Sequence, residues 1–201
     1  YSEEDELGGE DPYSASKAAA ENIFFSYQKS FFKNKNKIGL VSVRAGNVIG
    51  GGDWSKDRII PDLIKSIIFK TKFIIRSPKS TRPWQHIFDL LHGYLILSKK
   101  IYGNSKFNGS WNFGPDKKHV TVKEVISKLT QILGINKKVF TKSDKKIKET
   151  GLLSLKTFKS KKNLKWKTKL TLNQSLKIIA DWYLCYINDK KNIENLSRKQ
   201  V

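Results

Sequence analysis

From Tyr13 to Phe32 small and apolar residues recur at helical spacing. Ala18, Ala19 and Ala20 give way to Ile23, Phe24, Tyr27 and Phe31. That period predicts a helix over residues 13–32. Lys33 to Lys37 interrupts it as a polar connection. Ile38-Gly-Leu-Val-Ser-Val-Arg follows, short, β-branched and almost continuously apolar. Such a run predicts a strand buried on both faces, with open edges that invite aggregation where partner strands are missing. Gly46-Asn-Val-Ile-Gly-Gly-Gly-Asp-Trp then reads as a long glycine-rich loop, expected to be flexible and to approach a substrate. Helix, strand and loop in this order make the second half of a βαβ-type layer.

Further along, Pro61 opens a helix through about Phe69, its missing N–H tolerated in a first turn. Phe73-Ile-Ile-Arg and Ser110-Trp-Asn-Phe-Gly are short strands, and His86 to Lys100 carries a helical pattern between them. Thr121-Val-Lys-Glu is a capping box for a helix to Leu133 that Gly134 closes. A Lys-rich stretch runs to Glu149, residues 157–163 and 173–187 are two further helices, and the tail from Asn188 is expected to fray. No internal repeat is visible.

Composition narrows the class. The chain has 201 residues, 38% of them hydrophobic, with 11 Phe, 7 Tyr and 5 Trp, which is globular rather than disordered. No apolar run reaches the roughly 20 residues of a membrane span. The absence of Met and the start at Tyr1 suggest a piece of a longer protein. The formal net charge of +21 comes mainly from lysines scattered from Lys29 to Lys199, amid abundant Asn and Ile. Scattered charge points to solvated faces, so no nucleic-acid partner is expected; a basic nucleic-acid module is the reading from another class. Cys185 alone excludes an intramolecular disulfide and reads as a helix-face residue. His86, His92 and His119 lack ligand spacing, so no metal is expected.

Candidate chemistry begins at Asp11-Pro-Tyr-Ser-Ala-Ser-Lys. Tyr13 and Lys17 stand four residues apart, on one helix face. A cation within roughly 4–6 Å of a phenol favours the phenolate, so the pair reads as an acid/base device for a sugar or alcohol hydroxyl. The spacing alone also fits a surface tyrosine beside a solvated lysine. No Gly-x-Gly-x-x-Gly follows a strand and opens a helix here, so Gly50, Gly51 and Gly52 are not a dinucleotide fingerprint.

Gly8-Gly-Glu-Asp-Pro-Tyr-Ser-Ala-Ser-Lys-Ala-Ala-Ala-Glu and Val43-Arg-Ala-Gly-Asn-Val-Ile-Gly-Gly-Gly-Asp-Trp together resemble the extended short-chain dehydrogenase/reductase family. Ser80-Thr-Arg-Pro-Trp-Gln-His and Trp111-Asn-Phe-Gly-Pro narrow the likeness to its sugar-nucleotide dehydratases, the CDP-glucose branch in particular. The resemblance implies an α/β fold: an incomplete NAD-binding Rossmann-like doubly wound sheet plus a smaller C-terminal α/β substrate-binding domain. It divides the chain into 1–57, carrying the Tyr-x-x-x-Lys pair, 58–187, mainly nucleotide-sugar binding with segments returning to the Rossmann layer, and a polar tail 188–201.

It also implies roles. Tyr13 would take the proton of the sugar 4-hydroxyl. Lys17 would hold the nicotinamide ribose of NAD. Ala45 and Val48 would line the nicotinamide end. Asn47 would face the substrate diphosphate or sugar, or else be a turn residue. Arg58 and Arg82 would clamp the diphosphate, since a guanidinium offers phosphate oxygens a rigid fork; a surface ion pair is the plainer reading of each. Asn112 would cap the nucleotide pocket. Arg76 would touch nucleotide or end a strand, and Trp84 would stack on substrate or be core. The implied protein is a cytoplasmic lyase that takes CDP-glucose or a related nucleotide sugar and assembles as a homo-oligomer when full length. Its rivals are an epimerase or a dehydratase of another nucleotide in the same family, and an inactive scaffold whose first helix is a dimer face. The family's glycine-rich NAD loop and elimination acid lie upstream of its Tyr-x-x-x-Lys, so these 201 residues are expected to be inactive and marginally stable alone.

Overall fold

Asp11 starts the first helix by accepting the backbone N–H groups of Tyr13 and Ser14 at 2.9 and 3.1 Å, with Pro12 in the first turn where no donor is needed. The computed structural model describes residues 1–32, 38–115, 120–135, 139–141 and 154–201. Among these residues the helices are α1 (Pro12–Phe31), α2 (Ile59–Ile68), α3 (Ile87–Ile101), α4 (Val122–Ile132), α5 (Phe158–Leu164), α6 (Leu172–Asn188) and α7 (Ile193–Gln200). The strands are β1 (Val41–Ala45), β2 (Val48–Ile49), β3 (Phe73–Ile75), β4 (Thr81–Arg82), β5 (Gln85–His86), β6 (Gly109–Phe113), β7 (Val120–Thr121) and β8 (Val139–Thr141). The chain forms two compact units, and each draws on three segments.

The first unit comprises Tyr1–Ala45, Leu90–Gly114 and Leu155–Lys167. Its sheet is the parallel pair β1 and β6, in register from Val41 opposite Gly109 to Ala45 opposite Phe113. Trp111, Phe113, Leu97 and Trp166 are buried around it, and the Phe113 ring meets Trp166 edge-on at 5.0 Å. Gly93 admits this packing: a Cβ there would stand 2.6 Å from a Phe113 ring carbon. β1 is half-buried at every position, short of the full burial its apolar run predicts. With β6 its one strand partner among the described residues, its side chains stay half covered.

One ionic knot ties α1 to β1. Glu21 accepts Arg44 Nε and Nη2 at 3.0 Å each, and Ser42 and Ser110 hydroxyls also donate to it. Burial pushes the Glu21 carboxyl up, but the bonds from Arg44 and Ser42 and the Arg44 charge outweigh it and hold the group below its usual range. A carboxyl so depressed stabilises the fold above its unfolded value near ~4.3 and stops doing so as pH falls through its folded value. Glu21→Gln is therefore expected to cost on the order of 1–2 kcal/mol at pH 7. That cost should shrink toward zero as pH falls from the unfolded value near ~4.3 through the lower folded one. Urea midpoints across pH 3–7 test this; a pH-independent difference would refute it.

The second unit comprises Gly46–Asp89, Pro115–Ser154 and Thr168–Val201. Three strand pairs, β2–β5 and β3–β8 parallel and β4–β7 antiparallel, sit with α2, α4 and α6. Leu63, Ile64, Phe73, Ile75, Val125, Leu129, Leu176 and Ile179 form the core. The Thr121–Glu124 capping box predicted for α4 forms, and α6 opens on a second, Thr171–Gln174.

Two expectations change here. His86 belongs to β5, not to the helix, and α3 starts one residue later. The tail from Asn188 does not fray: α7 returns to α6, where Trp182 Nε1 donates to Ser197 Oγ at 3.0 Å and Gln200 Nε2 donates to the Ile178 carbonyl at 3.0 Å. Its polar composition hid an Ile193, Leu196 face. The Lys33–Lys37 connection, His119 and most of the Lys-rich stretch to Glu149 lie outside the described residues.

Candidate functional site

In the first unit, the N-cap on Asp11 fixes the backbone that presents Tyr13. The tyrosine ring is 67% exposed, and Lys17 Nζ lies 5.5 Å from its centroid, one turn on. Helical geometry thus brings ammonium and phenol together as the spacing predicts. Among the described residues no carboxylate pairs with Lys17. Ala45 ends β1, half-buried. Asn112 is 1% exposed in β6. Its amide donates to the carbonyls of Tyr1 and Lys156 at 3.3 Å each, and its backbone N–H donates to Glu3 at 2.9 Å. Those bonds pin the N-terminal segment and the approach to α5 against the strand.

In the second unit, Asn47 and Arg58 line one small pocket of about 90 Å³ with Gly50, Asp53, Asp57 and Trp84. Asn47 is placed by its own backbone: its carbonyl accepts Gln85 N–H at 3.0 Å, beside the β2–β5 pairing. Val48 follows in β2, half-buried. Arg58 occupies the N-cap position of α2 without any side-chain cap bond, and its side chain is exposed. Among the described residues neither the Asn47 amide nor the Arg58 guanidinium has a partner, so both keep their donors for a ligand.

Arg82 lies in β4, half-buried, with Nη1 donating to the Thr81 carbonyl at 2.9 Å. Arg76 is paired with Asp57 at 3.0 Å, and both are exposed, so the bond contributes about 0–1 kcal/mol and chiefly offsets one carboxylate at the pocket rim. Trp84 is 7% exposed and its indole N–H donates to the Val120 carbonyl at 3.0 Å, which makes it a wall of the pocket. Trp84 also borders a larger pocket of about 700 Å³, lined with Gln85, Lys128, Leu170 and Asn173. A volume of 90 Å³ holds a phosphate-sized group, not a nucleotide sugar, for which roughly 300 Å³ or more is usual.

The glycine run behaves differently from a flexible substrate loop. A Cβ on Gly51 would lie 2.4 Å from Trp182 Cγ, and one on Gly50 would lie 2.9 Å from Ile87 Cγ2. Gly52 has φ +78, a left-handed backbone that favours glycine. These glycines let protein approach protein. The groups that hold the segment were not legible as functional: Tyr183, whose hydroxyl donates to the Asp53 carbonyl at 2.6 Å, and Lys65, whose ammonium donates to the Trp54 carbonyl at 2.6 Å. In the sequence Tyr183 shows only as a bulky aromatic three turns into α6, and Lys65 only as one lysine among many.

The sequence profile of the NAD dependent epimerase/dehydratase family matches residues 1–114. CDP-glucose 4,6-dehydratase of Salmonella typhimurium is 39% identical over 193 residues, 93% of this chain and 54% of that protein. The human dTDP-D-glucose 4,6-dehydratase is 25% identical over 192 residues, 91% of this chain and 51% of that protein. The chain therefore spans about half the length of the curated relatives it matches. Among solved structures, dTDP-glucose 4,6-dehydratase from Bacillus anthracis, in complex with NAD, superposes with a TM-score of 0.75 at 22% identity, covering 98% of this chain and 58% of that one. The likeness to that structure shows a shared fold: an α/β chain matching part of a Rossmann-type epimerase/dehydratase.

Proposed function

Because the chain belongs to the NAD dependent epimerase/dehydratase family, we propose that it carries substrate-side machinery of a sugar-nucleotide 4,6-dehydratase, with CDP-glucose as substrate. The nucleotide rests on the 39% identity to the Salmonella enzyme. The observation that carries the reading is the pocket where the unpartnered Asn47 amide and Arg58 guanidinium converge. Together they offer neutral and charge-assisted donors to one phosphoryl group of the diphosphate, while Arg82 in β4 stands outside that pocket's lining. Asn112, with its amide bound inside the first unit, supports that unit's shape.

Tyr13 and Lys17 fit the ribose end of NAD: both are exposed, on one face, and the ammonium faces the ring rather than a carboxylate. Lys17 would hold ribose hydroxyls, and Ala45, in the same unit, would supply apolar contact. NAD, when bound, accepts a hydride from the sugar and later returns it. Tyr13 removes the 4-hydroxyl proton. The resulting 4-ketone acidifies the C5 proton; loss of that proton and of the C6 hydroxyl as water leaves a 5,6-alkene conjugated to the ketone, and return of the hydride to C6 with a proton to C5 gives CDP-4-dehydro-6-deoxyglucose. Ile23, Tyr27 and Phe31, exposed at 60%, 55% and 60% along α1, suit assembly into a homo-oligomer.

Calorimetric titration of CDP into the 201-residue chain tests the pocket. Saturable binding is expected, at least about tenfold weaker in Arg58→Ala, as loss of a charge-assisted bond predicts. UDP and dTDP in parallel assign the nucleotide. Equal binding by wild type and Arg58→Ala, or none by wild type, would refute the reading.

A further inference from the structure

Asn47 and Arg58 stand eleven residues apart, and the segment between them includes three glycines. Such a stretch has little intrinsic order. Its single conformation must come from outside. One external bond comes from the Tyr183 hydroxyl, which donates to the Asp53 carbonyl at 2.6 Å from a fully buried ring on α6. The ring is held in turn: it meets Trp54 edge-on at 5.3 Å and Trp182 edge-on at 5.2 Å. Trp182 fills the space over Gly51 and Gly52, and Lys65 ties the next two carbonyls, Trp54 and Ser55, at 2.6 and 3.3 Å.

We propose that Tyr183 is a positioning residue: its hydroxyl anchors the Asp53 carbonyl and thereby sets the Gly50–Asp57 segment so that Asn47 and Arg58 share one anion-binding pocket. The inference rests on the reading of that pocket as a diphosphate subsite, yet its first half concerns the chain alone. Tyr183 touches no ligand in this scheme. It acts through one hydrogen bond to backbone, and the same helix supplies the Trp182 surface on which the glycines lie. Burial pushes the Tyr183 phenol well above its ordinary range, with the Asp53 charge adding to the effect, so the group stays a donor throughout the physiological range.

Tyr183→Phe keeps the ring and removes only the donor. Amide hydrogen exchange of the 201-residue chain, resolved by peptide, reads the consequence. Exchange across residues 50–57 is expected to accelerate at least about tenfold, the size of one lost hydrogen bond. Peptides of α4 and the 73–75 strand should stay within twofold of wild type. Val125→Ala, in the core on α4, is the matched control: it should loosen the unit without singling out 50–57. CDP binding then links segment to pocket, with Tyr183→Phe weakening it at least about fivefold and Val125→Ala within twofold of wild type. Unchanged exchange at 50–57, or acceleration spread evenly over the unit, would overturn the anchoring role. If CDP binds the wild type and Tyr183→Phe equally, the link to the pocket is overturned. If CDP fails to bind the wild type, the diphosphate reading falls, while the exchange result still decides whether Tyr183 holds the segment.

Discussion

Gly51→Val is expected to destabilise the second unit by about 3 kcal/mol or more, the upper range for forcing atoms into a filled space. The reason is geometric. An ideal Cβ at residue 51 would sit 2.4 Å from Trp182 Cγ, 2.6 Å from its Cβ and 2.9 Å from Cδ2. Those atoms lie at the root of the indole, so a rotation of the ring's far end does not clear them. The indole is also fixed at its other side, by its N–H bond to Ser197 and by stacking on Tyr186 with planes 11° apart. Relief then requires the backbone at 50–52 to back away from α6. That movement would pull against the Tyr183 bond to Asp53. Gly8→Ala is the control, because nothing lies within 4 Å of a Cβ there. A urea midpoint for Gly51→Val equal to wild type would show that α6 yields easily, and would count against a rigid loop.

The contrast between those two glycines marks how far the sequence could be read. Three glycines in a row announce close approach, but composition does not say whether a ligand or a tryptophan over a hundred residues away does the approaching. Local signals fared better. The 3.6-residue pattern of α1 and the capping box of α4 depend on neighbours within a few residues, and both formed. So did the meeting of Tyr13 with Lys17, since helix geometry alone sets it. Long-range partners were invisible. Glu21 and Arg44 pair across 23 residues, and Asn112 reaches Tyr1 across 111. The placement of Asn47 beside Arg58 lay between these extremes: the loop was legible, but its anchoring by Tyr183 was not. The tail shows the same limit, because α7 owes its order to bonds with Trp182 and Ile178 rather than to its own charged sequence.

Tyr13→Phe separates chemistry from architecture, and on the proposed function it is expected to lower turnover of CDP-glucose by about 10²–10⁴-fold. The phenol oxygen is the one atom removed. The ring remains for the Lys17 ammonium 5.5 Å from its centroid, and the N-cap bonds from Asp11 go to backbone, which the substitution leaves alone. At 67% exposure, a change of one surface atom should move stability by no more than about 0.5 kcal/mol. Activity is measured on the full product of the gene with NAD and CDP-glucose, by appearance of the 4-keto sugar. CDP binding is measured on the same samples and should match wild type, since Tyr13 is assigned to the sugar hydroxyl and not to the nucleotide. Lys17→Met should differ in kind, weakening NAD as well as slowing turnover, because its ammonium is assigned to the ribose. Turnover by Tyr13→Phe within threefold of wild type would remove the phenol from the reaction. The Asn47–Arg58 pocket would then describe a protein that binds a nucleotide sugar by one route and converts it, if at all, by another.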